Sequence, residues 1–160
     1  MLRMLSTISA LLACQLGVGQ ETAVKLPGLD QHPVKDIDLM AGHRGDPSSW
    51  PMYGGSYGQI RFSDLEQINK GNIKDLRPAW VFHTGVYNVA SGYQTTPTVF
   101  DGAMYVTTPR VGREQWVIKL DARTGKEIWR KGLRQGSTRY CCGPNNRGVT
   151  LYKDKVIVAT

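Results

Sequence analysis

The 160 residues have the length of one ordinary domain, and a hydrophobic share of 41% is enough to bury a core. Eighteen glycines and eight prolines argue against a coiled coil or long-helix fold and favour short strands joined by turns. The formal charge of +7 is a mild excess, and lysines and arginines are scattered from Lys25 to Lys155 without a dense cluster. That distribution speaks against nucleic-acid binding and for a solvated basic surface, or a docking face for an acidic electron acceptor.

Residues 1–20 read as a secretory signal peptide: Arg3 precedes an uncharged stretch from Leu5 to Val18 that ends in small residues. The stretch is too short for a confident membrane span. Cleavage near Gly19 is expected, the alternative being a lipid anchor on Cys14, since Leu11-Leu12-Ala13-Cys14 resembles a bacterial lipobox. Export places the chain where disulfides persist. Beyond the leader the cysteines are Cys141 and Cys142, which are adjacent; either they pair with each other or both remain unusual.

Residues 21–49 form a polar lead-in interrupted by Pro27, Pro33 and Pro47, with a short helix expected around Lys35 to Met40. Ser63-Asp64-Leu65-Glu66 fits a capping box, which predicts a second short helix to about Asn69. After Pro78 the texture changes to strands: Ala79 to His83, Thr96 to Phe100, an Asp101-Gly102 turn, Ala103 to Thr107, Gln115 to Asp121, then Glu127 to Arg130. Four short antiparallel strands make one propeller blade. The hairpin from Pro97 to Thr108 repeats from Val149 to Thr160 at an offset of 52 residues (149 − 97), with apolar positions 99, 100, 104, 105 and 106 falling on 151, 152, 156, 157 and 158. Such a period belongs to blade or solenoid arrays. The chain stops inside its next unit, so an all-β fold with further blades is expected, residues 50–160 supplying the first ones.

Leu120-Asp121-Ala122-Arg123-Thr124-Gly125-Lys126-Glu127-Ile128-Trp129 resembles the tryptophan-docking repeat of quinoprotein propellers. There the glycine makes a turn, while the Trp inserts between blades and its indole N–H seeks a backbone acceptor. Trp50-Pro51-Met52-Tyr53-Gly54-Gly55, then Arg61-Phe62-Ser63, Leu65, Gln67-Ile68-Asn69 and Ala79-Trp80, resembles the opening segment of pyrroloquinoline quinone (PQQ)-dependent alcohol dehydrogenases of the methanol and ethanol dehydrogenase type. Gln94-Thr95-Thr96-Pro97 stands where that family usually has Glu before a similar Thr-Pro. Cys141-Cys142, with Arg147 five residues beyond the second cysteine and Gly148-Val149 following, resembles its vicinal disulfide motif.

The resemblance implies the N-terminal part of an eight-bladed, all-β propeller enzyme. It also implies a disulfide between Cys141 and Cys142. Adjacent Cα atoms lie about 3.8 Å apart, below the usual disulfide span of roughly 4.4 to 6.8 Å, so such a bond closes a strained ring. The flat face of that ring would lie against one side of PQQ while a Trp from a later blade covers the other. A buried Arg147 guanidinium would pair with one of the three PQQ carboxylates. Gln94, a neutral amide in the place of Glu, can donate to a carboxylate or carbonyl where Glu could only accept.

For the whole protein the resemblance implies periplasmic oxidation of a primary alcohol or related hydroxyl substrate by PQQ. A calcium or lanthanide ion would act as Lewis acid, and electrons would pass to a cytochrome c. The catalytic carboxylate and metal ligands are expected on later blades, so these residues hold part of the cofactor site only. The competing reading is a non-catalytic propeller lipoprotein of the outer-membrane assembly type, which shares the Trp repeats but has no use for Cys141-Cys142.

Overall fold

The computed structural model describes residues 22–25, 32–87, 92–134, 136, 143 and 145–159, with backbone alone for 22–25. The leader, Cys14, Cys141 and Cys142 lie outside the described residues.

Strands β2 (Thr98–Phe100), β3 (Ala103–Thr107), β4 (Glu114–Asp121) and β5 (Glu127–Arg134) form one antiparallel sheet in sequence order. Asp101 and Gly102, both at positive φ (49° and 70°), turn the β2–β3 hairpin, and Thr98 pairs with Tyr105. The hairpin repeated in the sequence is repeated in space as β6 (Thr150–Tyr152) and β7 (Lys155–Val158), at the same offset. The lead-in adds a strand that composition did not suggest: β1 (Thr22–Lys25) lies antiparallel to β7, Thr22 opposite Val158. The short helix expected around Lys35 is present as α1 (Asp36–Ala41), where Asp38 Oδ2 accepts from Lys35 N at 2.7 Å.

Alternation along the strands divides the four-stranded sheet into two buried faces. Tyr105, Val117 and Leu133 point one way and pack on Val149, Leu151, Val156 and Val158 of the second hairpin. Val106, Ile118 and Leu120 point the other way and meet Trp80 and Phe82. A sheet covered on both faces by successive parts of the chain is the packing a propeller blade needs. The two hairpins are tied by Thr98, which is fully buried and donates its hydroxyl to Val149 O at 2.9 Å. Thr98→Val is expected to cost about 1–2 kcal/mol in a urea unfolding titration, because the carbonyl loses its partner.

The loop from β4 to β5 explains why Asp and Thr-Gly recur together. Asp121 Oδ1 accepts from Thr124 Oγ1 and Thr124 N, each at 2.8 Å, and from Arg123 N at 3.1 Å. These bonds favour the carboxylate and hold Asp121 below its ordinary range.

Two sequence expectations are corrected. No helix forms at residues 63–69; Ser63 Oγ accepts from Leu65 N instead, and the helical turn nearby is a 3-10 piece at Ile73–Asp75. Leu65 and Ile68 are exposed, so a helix there would have no face to bury, and capping alone does not stabilise so short a segment. Residues 79–83 are extended but belong to no ladder among the described residues. They cross the face of the four-stranded sheet rather than its edge, with Trp80 Nε1 donating to Ala122 O at 3.2 Å.

Candidate functional site

The segments that lead into β2 and β6 occupy equivalent places in the two hairpins, and the fold sets them side by side. Thr96 N donates to Arg147 O at 2.9 Å. The approach is close: a Cβ on Gly148, whose φ is +117°, would lie 2.6 Å from Thr96 O. Only glycine fits there. Gln94 and Arg147, separated by 53 positions in sequence (147 − 94), are thereby brought onto adjoining strand leads.

A polar cluster lies beneath them. The hydroxyls of Thr95 and Thr107 are hydrogen bonded at 2.9 Å, and Thr107 N donates to Thr95 Oγ1 at 3.1 Å. Thr107 Oγ1 also bonds Asn146 Oδ1 at 2.8 Å. Sequence reading gave no role to Asn146 or the two threonines; Asn146 adjoins Arg147 and Thr95 adjoins Gln94, while Thr107 adjoins neither.

Gln94 and Arg147 are both exposed. Among the described residues no segment covers the loop that carries Arg147. Neither side chain has a hydrogen-bond or ion-pair partner among the described residues. A guanidinium and a carboxamide free to donate from neighbouring loops suit a ligand that carries several carboxylates, and PQQ fits that description. Cys141 and Cys142 precede this loop in sequence but lie outside the described residues.

Elsewhere, His43 is buried and stacks on Trp50 with ring centroids 5.6 Å apart. His32 Nδ1 lies 3.2 Å from Asp101 Oδ2 on the surface. Neither histidine adjoins the Gln94–Arg147 loops in sequence.

The family model of the glucose/ethanol/alcohol dehydrogenase beta-propeller domain (PQQ) matches residues 50–159. The chain belongs to this family. Among curated relatives, quinohemoprotein alcohol dehydrogenase of Comamonas testosteroni is 38% identical over 130 residues, which is 77% of this chain and 17% of the relative. Methanol dehydrogenase [cytochrome c] subunit 1 of Methylorubrum extorquens is 39% identical over 107 residues, 65% of this chain and 16% of the relative. Quinoprotein alcohol dehydrogenase PedH of Pseudomonas putida is 41% identical over 101 residues, 62% of this chain and 16% of the relative. The crystal structure of the Comamonas testosteroni quinohemoprotein superposes with a TM-score of 0.63 at 34% identity, covering 81% of this chain and 18% of that one. The chain therefore spans about a sixth of the length of these relatives. The propeller expected from the strand repeat is the family's fold, and the blade packing described above is its beginning.

Proposed function

We propose that the protein is a PQQ-dependent dehydrogenase that oxidises a primary alcohol or related hydroxyl substrate in the periplasm and passes the electrons to a cytochrome c. The observation that carries this reading is the Thr96–Arg147 backbone bond, which sets the strand leads carrying Gln94 and Arg147 side by side in a chain of the PQQ propeller family. The relatives reported above are all dehydrogenases, which favours it over a non-catalytic scaffold.

When bound, PQQ would supply a two-electron oxidant, and a calcium or lanthanide ion would polarise its reactive carbonyl. The residues of this chain bind and orient it. Arg147 donates a charge-assisted pair of hydrogen bonds to a carboxylate, and Gln94 donates from Nε2 to a second carboxylate or a carbonyl. By the family resemblance, Cys141 and Cys142, if joined as a vicinal disulfide, would cover one face of the planar ring. The leader through residue 20 directs export, which supplies the oxidising compartment the disulfide needs.

Titration of the natural-length, cofactor-free protein with PQQ tests this. Saturable binding is expected, weakened on the order of tenfold or more by Arg147→Lys, because a point charge cannot replace the planar fork. Mass spectrometry of the unreduced peptide containing Cys141 and Cys142 should find it two hydrogens lighter than after reduction. Absence of PQQ binding, or free thiols at both cysteines in exported material, would overturn the reading.

A further inference from the structure

Asn146 is half-buried and binds three separate parts of the chain. Its Oδ1 accepts from Thr107 Oγ1 at 2.8 Å and from Gly148 N at 2.9 Å, while its Nδ2 donates to Ala159 O at 2.9 Å. A backbone N–H can only donate and a backbone carbonyl only accept, so these partners settle which way the amide points. One side chain thus joins the end of β3, the loop just past Arg147 and the chain just past β7.

Arg147 lies between Asn146 and Gly148, the two ends of one of these bonds. Glycine at position 148 leaves the backbone free to adopt many conformations, so the loop does not hold its own shape. Asn146 and the Thr96–Arg147 backbone bond hold it instead. On the other side, Thr107 binds Thr95, the residue next to Gln94. A continuous polar chain therefore runs from the backbone beside Gln94, through Thr95, Thr107 and Asn146, to the backbone on both sides of Arg147. Thr107 is fully buried, and hydrogen bonds screened from water hold their geometry more firmly.

We propose that Asn146 is a positioning residue for the cofactor site. It does not touch the cofactor; it sets the spacing between the Arg147 guanidinium and the Gln94 amide so that both reach one planar polycarboxylate. The role needs an acceptor for two donors and a donor for one carbonyl in a single short side chain, which an amide provides. The proposal rests on the PQQ reading above.

The test compares PQQ affinity in the natural-length protein with amide hydrogen exchange at Gly148 in its cofactor-free form. Asn146→Ala is expected to weaken PQQ binding on the order of tenfold, as loss of a supporting hydrogen bond does at other cofactor and metal sites, and to speed exchange at Gly148. Thr98→Val removes a different buried bond between the same two hairpins; it should lower stability but keep PQQ affinity within about twofold. Parent-like PQQ affinity in Asn146→Ala overturns the positioning role, and so does an equal loss in Thr98→Val, which would reduce the effect to general destabilisation. Unchanged Gly148 exchange in Asn146→Ala removes its structural basis. A parent protein that does not bind PQQ, or an Arg147→Ala variant that binds as tightly as the parent, instead sinks the PQQ reading, even where Gly148 exchange responds as expected.

Discussion

Gly125→Ala is expected to destabilise the protein by about 3 kcal/mol, although it adds a single methyl group, because Gly125 is buried in its turn. Gly125 has a φ of +69°, and a Cβ built there would lie 2.4 Å from Cε3 of Trp80. The left-handed backbone alone costs an alanine about 1–2 kcal/mol. The ring must also move, which weakens its 3.2 Å hydrogen bond to Ala122 O and its packing on Val106, Ile118 and Leu120; one lost bond adds about 1 kcal/mol. Trp80→Ala should cost about 3 kcal/mol, the lower end for a large aromatic because the ring is only half-buried. The decisive measurement is the double variant in guanidinium unfolding. Without the indole the three atoms nearest the alanine methyl are gone, so the combined loss should fall short of the sum by about 1 kcal/mol or more. Additive losses, or a Gly125→Ala variant as stable as the parent, would mean that Trp80 does not dock on this turn.

Raising the pH from 10 to 12 should remove about 2 kcal/mol of stability through Tyr105 alone. Tyr105 is fully buried at the centre of β3, and its hydroxyl has no hydrogen-bond partner among the described residues. Burial, helped by the Asp101 carboxylate, pushes its pKa from 10.0 up to about 12. The folded protein therefore keeps the proton at pH values where the unfolded chain releases it. The sign follows: this contribution is complete below pH 10, declines as pH rises, and is gone above about pH 12. Lysines and other tyrosines titrate in the same window, so the quantity to measure is the difference between the parent and Tyr105→Phe. At pH 7 the phenylalanine variant should be as stable as the parent or better by up to about 1 kcal/mol, because it deletes a buried unpaired hydroxyl. At pH 12 its advantage should widen by about 2 kcal/mol. Parallel pH profiles would contradict the burial of a neutral phenol. The neighbouring ring of Trp129, its centroid 6.2 Å away, offers an internal fluorescence probe.

Residues that act on their near neighbours were legible in the chain. The Asp101-Gly102 turn, the alternation on β3 and β4, and the recurrence of the hairpin 52 positions later all express rules that span a few residues or one repeat. The Asp121, Thr124 and Gly125 loop is of the same kind, since every bond to the Asp121 carboxylate comes from within three residues. The same local reasoning failed at Ser63, where a capping signal was present but Leu65 and Ile68 had no surface to pack on. It also assigned residues 79–83 to a strand. Pairing depends on which edge or face a segment meets, and there the segment meets the face of the sheet, which sequence does not say.

The candidate site divides in the same way. Gln94 and Arg147 were picked out by resemblance to family motifs, yet nothing in the sequence joins them. Their meeting depends on the packing of two hairpins and on a glycine that lets Arg147 O come within 2.9 Å of Thr96 N. Asn146 and Thr107 bond across 39 positions, so the support beneath those side chains could not be inferred from either stretch alone. The amino-acid order by itself determined the strands of the two repeated hairpins and of β4 and β5, their turns, the blade repeat and the residue types offered to a cofactor, because each depends on backbone preference and short-range bonding. The tertiary structure alone decided which strand leads are neighbours, where Trp80 docks and which side chains stay free to donate, because burial and hydrogen-bond partnership are set by residues distant in the chain.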